Sequence, residues 1–326
     1  MESSVFKNIT TSSFKGLPVG LLAAAVLILL TESFIYSNRA ELTKDYWNKF
    51  LINEHVLLDS PGDYDYLIMG DSIQKTGIRP LLVDEKCLNL GLPGGKPMSL
   101  YLMLNRYLKN HKAPKVIFLY VDPEDQHDSL NVILRYFVNL PEFISIWKDL
   151  TPSERQIFIT RYLASLDLRK VNLTKRVEYT GSNKTFVEEM KANRGYMPLP
   201  NPGSAIGENY FVKDRSRYQS HLSLSKKDMK YLGKFMKLAA SKNIKIVFLG
   251  FLLPRELYDI FEKTGFNQEY RAFYEGLKNR YPEWNYVKDP IYVLDNQYFG
   301  DRSHLNNAGS ELYSGYFKDE IFTRPL

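Results

Sequence analysis

Apolar runs alternate with amphipathic stretches along much of the chain, and this alternation predicts its fold class. Continuous apolar runs are typical of strands that are covered on both faces, as in parallel sheets. The stretches between them repeat their apolar residues at helical spacing over about ten to fifteen residues. Strands that alternate with such helices predict an α/β protein with a central parallel sheet. The predicted strands are Tyr66–Met69, Cys87–Gly91, Lys115–Val121 and Ile244–Gly250, and the predicted helices are 97–110, 225–240 and 267–279.

Residues 126–220 interrupt this alternation. They contain long aromatic and basic segments without a clear period, and the Pro- and Gly-rich stretch Arg194–Gly203 is incompatible with regular structure. We interpret 126–220 as an insertion, either a lid or a substrate wall. It separates two parts of the predicted core, 61–125 and 221–326.

The amino-terminal region carries the most apolar run of the chain. The run Leu17–Leu30 continues to Tyr36, and twenty helical residues reach roughly 30 Å, the thickness of a bilayer core. The pattern predicts a tail at 1–15, a transmembrane anchor at 16–37 in the lipid bilayer, and a stalk helix at 38–60. A cleaved signal peptide is the alternative, although small residues suited to cleavage do not follow the run. Lysine and arginine on both sides leave the orientation open.

Composition narrows the function classes. The chain has 326 residues, 44% of them hydrophobic and 25% charged, which is ordinary for a globular protein. The formal charge of +6 comes from scattered residues without a recognition motif, so we predict no binding of nucleic acid. Cys87 is the single cysteine, which excludes an intramolecular disulfide and a cysteine-based zinc site. We predict neither a metal nor a cofactor.

Candidate chemistry begins where the first predicted strand ends. Gly70, Asp71 and Ser72 follow that strand directly, and open α/β sheets bind ligands at the carboxyl ends of their strands. Ser72 is either a nucleophile or a helix cap. Of the five histidines, His304 alone follows an aspartate by three residues and opens a helical pattern. Asp301 can accept the imidazole Nδ1–H, which leaves Nε2 to take a proton from a serine.

These segments together resemble a known superfamily. Gly70-Asp71-Ser72, Asn89-Leu-Gly91 after the second strand and Asp301-x-x-His304 are similar to the blocks of SGNH (GDSL-type) hydrolases. The resemblance is closest to the membrane-anchored branch related to alginate O-acetyltransferases and teichoic-acid D-alanylation proteins. It implies a three-layer α/β/α, flavodoxin-like fold, with Ser72 as nucleophile, His304 as base and Asp301 as its orienting carboxylate. The backbone N–H groups of Ser72 and Gly91 would then form the oxyanion hole.

The same resemblance implies a function and a location. The expected protein is an acyltransferase or esterase that moves an acyl group through acyl-Ser72 to or from a hydroxyl of a glycan, lipid or polymer. It would span the cytoplasmic membrane once, with its catalytic domain outside the cytoplasm. A membrane-bound O-acyltransferase is the expected partner, beside an acyl donor and a glycan or polymer acceptor.

One departure from the superfamily affects the chemistry. The loop Val121–Asp125 lacks the asparagine that usually donates to the oxyanion, and an ionised Asp122 only accepts hydrogen bonds. This favours slow transfer to a positioned hydroxyl over fast hydrolysis. It also leaves open a non-catalytic accessory protein of a membrane-bound O-acyltransferase system. We assign Asp71, Asp122 and Asn306 to substrate binding or loop orientation.

Overall fold

The computed structural model describes residues 12–59, 62–123, 127–161, 179–199 and 222–323, with the side chains of 12–20 and 127–129 outside that description. Most of the predicted tail at 1–15 and large parts of the predicted insertion therefore lie outside the described residues.

Parallel strands form the centre of the described part. Five of its strands make one sheet in the order β2-β1-β3-β4-β6, and all of these pairs are parallel. The predicted α/β class with a central parallel sheet is thus confirmed. Two further strands, β5 and β7, form a second parallel pair. The strands are β1 (Tyr66–Gly70), β2 (Cys87–Gly91), β3 (Val116–Leu119), β4 (Lys245–Phe248), β5 (Phe251–Pro254), β6 (Asn285–Tyr286) and β7 (Ile291–Leu294).

Helices account for most of the remaining described residues. Those before the second half of the sheet are α1 (Ser12–Ser37), α2 (Arg39–Leu42), α3 (Tyr46–Asn53), α4 (His55–Asp59), α5 (Ser72–Gly77), α6 (Pro80–Val83), α7 (Pro97–Asn110), α8 (His127–Tyr136), α9 (Leu140–Ile146), α10 (Pro152–Thr160) and α11 (Asn183–Ala192). The helices that follow along the chain are α12 (Lys226–Ser241), α13 (Arg255–Thr264), α14 (Phe266–Arg280) and α15 (Asn307–Tyr316), which a π-helical segment extends over Phe317–Phe322.

The sheet is covered on both faces, which explains its apolar strands. Successive strand residues point to opposite faces, and they enter two separate apolar clusters. Leu67 and Met69 of β1 pack in one cluster with residues of α3, α7 and α12. Ile68, between them, packs in the other with residues of α13 and α15. Because both faces of β1 meet an apolar cluster, its residues form a continuous apolar run and do not alternate with polar ones.

The strand register brings three carboxyl ends to one edge. Gly70 at the end of β1 pairs with Gly91 at the end of β2, and Met69 pairs with Leu119 at the end of β3. The loops that follow these strands therefore start side by side, and Ser72 lies in the first of them.

The β5–β7 pair was not predicted. The apolar run at 244–250 ends in the main sheet at Phe248, and β5 follows after only two residues. A Cβ at Gly250 would lie 2.3 Å from the carbonyl oxygen of Pro290, so the two segments cross there with room only for glycine. This close crossing lets the chain leave the main sheet and pair with β7.

The segment 38–60 differs from the predicted stalk helix. It forms the three short helices α2, α3 and α4, and Asp45 caps α3 by accepting the N–H of Asn48 at 2.8 Å. Apolar residues of α3 and α4, including Phe50 and Leu58, are fully buried in the main core. The helical spacing of these residues thus reflects a face that packs on the α/β core.

The predicted membrane anchor at 16–37 is not supported. A bilayer span requires about twenty consecutive apolar residues in one helix. Among the described residues, no helix combines that length with that apolar character.

A buried ion pair joins α5 to the segment between α3 and α4. Lys75 and Glu54 are both inaccessible to solvent, with 4.0 Å between Nζ and Oε2. Lys75 also donates to the carbonyl oxygen of Asn89 at 3.0 Å and lies 4.0 Å from the ring centre of Phe50. Burial lowers the pKa of Lys75 to about 8 and raises the pKa of Glu54 to about 7, against the opposing effect of each partner's charge. Each residue therefore depends on the other to remain charged.

We expect Lys75→Met to destabilise the fold, because it leaves Glu54 buried without its counter-charge. Removing one partner of a buried pair costs about 3–5 kcal/mol of unfolding free energy. Glu54→Gln combined with Lys75→Met leaves no uncompensated charge and is expected to lose clearly less. Urea unfolding at neutral pH, followed by tryptophan fluorescence, measures Lys75→Met, Glu54→Gln and the double variant. A double variant as unstable as the sum of the single ones would contradict this account.

Candidate active site

Close packing fixes the turn from β1 into α5. Asp71 is the N-cap of α5: its Oδ1 accepts the N–H of Ile73 at 2.8 Å, and Gln74 Oε1 accepts the N–H of Asp71 at 3.4 Å. A Cβ at Gly70 would lie 2.8 Å from that Gln74 oxygen and 3.0 Å from Cβ of Tyr120. Glycine therefore fits where the strand enters the helix. Ser72 becomes the first residue of α5 and keeps a partly exposed side chain.

A tight loop presents His304 and Asp301. Gly300 donates its N–H to the carbonyl oxygen of His304 at 2.9 Å, and Phe299 and Leu305 form an antiparallel bridge around the loop. Asp301 Oδ1 accepts the backbone N–H groups of Ser303 and His304, both at 2.9 Å. The two side chains meet in this loop, before α15 begins, and not in the first turn of a helix.

The structure brings Ser72, His304 and Asp301 into one hydrogen-bonded chain. His304 Nδ1 lies 2.7 Å from Asp301 Oδ2, and His304 Nε2 lies 2.7 Å from Ser72 Oγ across 232 residues of sequence. Burial tends to raise the pKa of Asp301, but the hydrogen bond and charge of His304 outweigh it and hold the pKa at about 2. Because the carboxylate is ionised, Nδ1 is the donor to Asp301 and Nε2 is free to accept the serine proton.

The structure contradicts the predicted role of Gly91. Its N–H donates to Asn89 Oδ1 at 2.8 Å and is therefore not available to an oxyanion. The amide of Asn89 is held in this orientation because its Nδ2 donates to the carbonyl oxygens of Gln74 and Ile78, each at 2.8 Å. A Cβ at Gly91 would lie 2.7 Å from the backbone nitrogen of Lys75. Gly91 thus serves the packing of β2 against α5.

Two other backbone N–H groups at this edge have no partner within the described part of the chain. One belongs to Ser72, since the first N–H of a helix has no acceptor inside it. The other belongs to Gly94, which has φ of +68° in the loop after β2. That loop is bound to the end of β1, because Leu92 donates its N–H to the carbonyl oxygen of Gly70 at 3.0 Å. The glycine block drew attention to Gly91, but only the fold distinguishes its N–H from that of Gly94.

A group of charges lies beside the serine. Asp122, after β3, accepts a hydrogen bond from Lys96 Nζ at 3.1 Å, and both side chains are largely buried. Burial, followed by the charge of Asp122, raises the pKa of Asp71 to about 7, although the Ile73 N–H and the charges of His304 and Lys96 act in the opposite direction. Asp71 therefore titrates near neutral pH, whereas Asp301 stays ionised.

Each of the remaining predicted site residues has a contact that orients a loop. Asp71 caps α5, and Asp122 forms an ion pair with Lys96. Asn306 caps α15 by accepting the N–H of Gly309 at 2.9 Å, and its Nδ2 donates to the carbonyl oxygen of Gln297 at 2.7 Å. Their substrate contacts stay predictions.

Residues from two other segments lie near the imidazole or the loop that carries it. Trp47 of α3 lies against His304, with ring centres 5.3 Å apart, and sequence analysis did not find it. Its neighbour Tyr46 donates a hydrogen bond to the carbonyl oxygen of Pro198 at 2.7 Å. The adjacent Leu199 is buried against Gly300 of the histidine loop. Leu199 of the predicted insertion therefore lies against the loop that carries His304.

The described residues contain no cluster of His, Cys, Asp and Glu that is suited to a metal ion. A cavity of about 590 Å³ lies elsewhere, and its lining includes Arg271, Asp289 and Tyr316 but none of Ser72, Asp301 and His304.

Comparisons with known proteins give a family but no activity. A family described as Protein of unknown function (DUF1574) matches residues 66–310, which include Ser72, Asp301 and His304 but not Trp47. No curated protein matches the chain. Among solved structures, the chain is similar to a Streptococcus pneumonia protein provisionally described as a platelet activating factor. The two are 14% identical over 93% of this chain and 98% of that one, with a TM-score of 0.39. A likeness at this level carries no functional argument.

We expect Asp71→Asn to change how stability depends on pH. The folded chain retains the Asp71 proton up to about pH 7, whereas an unfolded aspartate loses it near pH 4. The folded state therefore binds more protons between these values, and its stability falls as pH rises through this window. Asparagine keeps the cap acceptor but does not titrate. The unfolding free energy of the wild type, relative to Asp71→Asn, should fall by more than about 1 kcal/mol from pH 4.5 to 7.5.

Urea unfolding across this pH range tests the expectation. Asp63→Asn is the matched control, because the Asp63 carboxylate is exposed and paired with Lys112 on the surface. Curves for wild type and Asp71→Asn that stay parallel between pH 4.5 and 7.5 would refute a retained proton on Asp71.

Proposed function

Because the chain belongs to the DUF1574 family, whose description gives no activity, we propose its function from the geometry of the site: it is a serine esterase or acyltransferase of the SGNH type that works through an acyl-enzyme at Ser72. The observation that carries this proposal is the continuous hydrogen-bonded chain from Ser72 through His304 to Asp301. The distances from His304 Nε2 to Ser72 Oγ and from His304 Nδ1 to Asp301 Oδ2 are both 2.7 Å. A serine hydroxyl is a weak nucleophile at neutral pH, and such a chain is how proteins activate it.

In the first half-reaction, Ser72 Oγ attacks the carbonyl carbon of an acyl donor. The hydroxyl proton passes to His304 Nε2, which forms an imidazolium. Asp301 stabilises this cation through the hydrogen bond at Nδ1, and its low pKa keeps it from taking the proton itself. The leaving group then takes the proton from Nε2 as its bond to the carbonyl carbon breaks, which leaves acyl-Ser72.

The negative charge that develops on the carbonyl oxygen needs hydrogen-bond donors. In place of Gly91, we assign this role to the N–H groups of Ser72 and Gly94. Both N–H groups lack a partner among the described residues, and both belong to segments that adjoin the end of β1. Such a donor typically contributes about 3–4 kcal/mol to the transition state.

In the second half-reaction, an acceptor hydroxyl or water gives its proton to His304 Nε2 and attacks the acyl carbon. The imidazolium then returns the proton to Ser72 Oγ as the ester bond breaks. Asp122 is bound to Lys96 and supplies no neutral amide donor at this edge, which favours transfer to a positioned hydroxyl over rapid hydrolysis. A glycan, lipid or polymer acceptor, a place outside the cytoplasm and a membrane-bound O-acyltransferase partner stay predictions of the sequence.

A non-catalytic accessory protein is the second candidate. The occupied N–H of Gly91 favours it, since one predicted donor is lost to packing. A base placed 2.7 Å from a serine hydroxyl argues against it, because a protein that only binds has no use for that contact. The same experiment separates the two candidates.

We expect a fluorophosphonate probe to label the wild-type protein at Ser72, because the probe reacts with activated serines. Ser72→Ala should abolish this labelling. His304→Ala should slow it by about 10³-fold or more, and Asp301→Asn by about 10³- to 10⁴-fold, since the latter loses the carboxylate that orients the imidazole. Mass spectrometry of the labelled peptide locates the site, and time courses give the second-order rate constants.

Ser303→Ala is the matched control for these variants. Its hydroxyl lies 3.5 Å from His304 Nδ1 but is not part of the proton path, so labelling should persist. Absence of labelling in a folded wild type, or undiminished labelling of His304→Ala, would exclude the proposed chemistry and leave the accessory role.

A further inference from the structure

The indole of Trp47 packs against the imidazole of the candidate base. The ring centres of Trp47 and His304 are 5.3 Å apart, and the ring planes are inclined by 32°. The hydrogen bonds of His304 lie at the edge of its ring, to Asp301 at Nδ1 and to Ser72 at Nε2. Trp47 therefore contacts the imidazole ring without competing with either hydrogen bond.

The core holds Trp47 in this position. α3 begins at a capped end, where Asp45 accepts the N–H of Asn48, and the next residue, Tyr46, is buried. The ring of Tyr46 packs edge-on against Trp47 with 5.0 Å between the centres, and its hydroxyl is bound to Pro198. One turn further along, Phe50 is fully buried beside Lys75. Residues of its own helix thus hold the indole beside His304.

An aromatic face stabilises a cation within about 6 Å of its centre, and tryptophan does so best. In the proposed reaction His304 is neutral in the ground state and carries a positive charge when Ser72 attacks. The attraction to the indole is therefore stronger in the transition state than before it, which is the condition for accelerating the chemical step.

We propose that Trp47 is a positioning residue of this site, which holds the imidazole of His304 and stabilises its imidazolium form during acyl transfer. The inference rests on the proposed function and extends the site to α3, outside the matched residues 66–310. The segment 38–60 then contributes to the chemistry as well as to the core.

The test compares Trp47→Phe, Trp47→Leu and Trp47→Met in fluorophosphonate labelling. Phenylalanine keeps an aromatic face, whereas leucine and methionine keep an apolar side chain without one. We expect Trp47→Phe to label within about 3-fold of wild type, and Trp47→Leu and Trp47→Met to label about 3- to 30-fold more slowly, beyond the loss in Trp47→Phe. The loss should appear in the maximal labelling rate and not in the probe concentration at half-maximal rate. Two apolar variants keep the test informative if one of them does not fold.

Trp147→Leu is the matched control, because it makes the same replacement at a partly exposed tryptophan whose ring packs against Phe143 and Arg155 and forms no part of the proposed site, and its labelling should equal that of wild type. If wild type labels at Ser72 and all three Trp47 variants react alike, whether fast or slowly, the aromatic face has no role and the inference fails alone. If folded wild type does not label, the proposed function and this inference fail together.

Discussion

The position of the candidate nucleophile depends on how closely three backbone segments approach one another at the end of β1. The loop after β2 crosses Gly70 so tightly that a Cβ at Gly95 would lie 2.4 Å from the Gly70 carbonyl oxygen. On the other side, Gly91 admits the backbone of Lys75 in α5. Protein interiors have no spare volume for such contacts to relax. The glycines therefore determine where the helix starts, and with it where Ser72 is placed.

A buried ion pair accompanies this close packing. Lys75 bonds the carbonyl oxygen of Asn89, and Glu54 supplies the opposite charge from the segment between α3 and α4. This segment thus reaches the site twice: through Glu54 it binds the helix that carries Ser72, and through Trp47 it contacts His304. The helix that carries Ser72 and the imidazole of His304 thus both contact the segment 38–60. For this reason the residues that resembled a stalk belong to the α/β core.

Parts of this arrangement were readable from the sequence, for physical reasons. The first four strands are buried on both faces, so their apolar runs stood out. Ser72 was found because it follows β1 directly, and Asp301 and His304 because a spacing of three brings side chains together in a tight loop. The state of the Gly91 N–H was not readable, since it depends on the orientation of the Asn89 amide. Trp47 was hidden because it shares its helical spacing with core residues such as Phe50. The apolar run at 17–36 predicted a membrane span that the described helices do not support.

The pKa values of two carboxyl groups near His304 are shifted in opposite directions, and this difference separates the roles we propose for them. Asp301 receives backbone N–H groups and the imidazole, so it stays ionised well below neutral pH. Asp71 is buried near Asp122, so it binds a proton up to about pH 7. Pairs of titratable groups separated in this way are typical of catalytic sites. In the proposed reaction, Asp301 is the hydrogen-bonded counter-ion of His304 when the imidazole takes the serine proton. Asp71, with a pKa of about 7, is only partly ionised near neutral pH and so competes less for the imidazolium. Asp71, which caps the helix, and Asp301, which binds the imidazole, therefore differ in charge near neutral pH because their surroundings shift their pKa values in opposite directions.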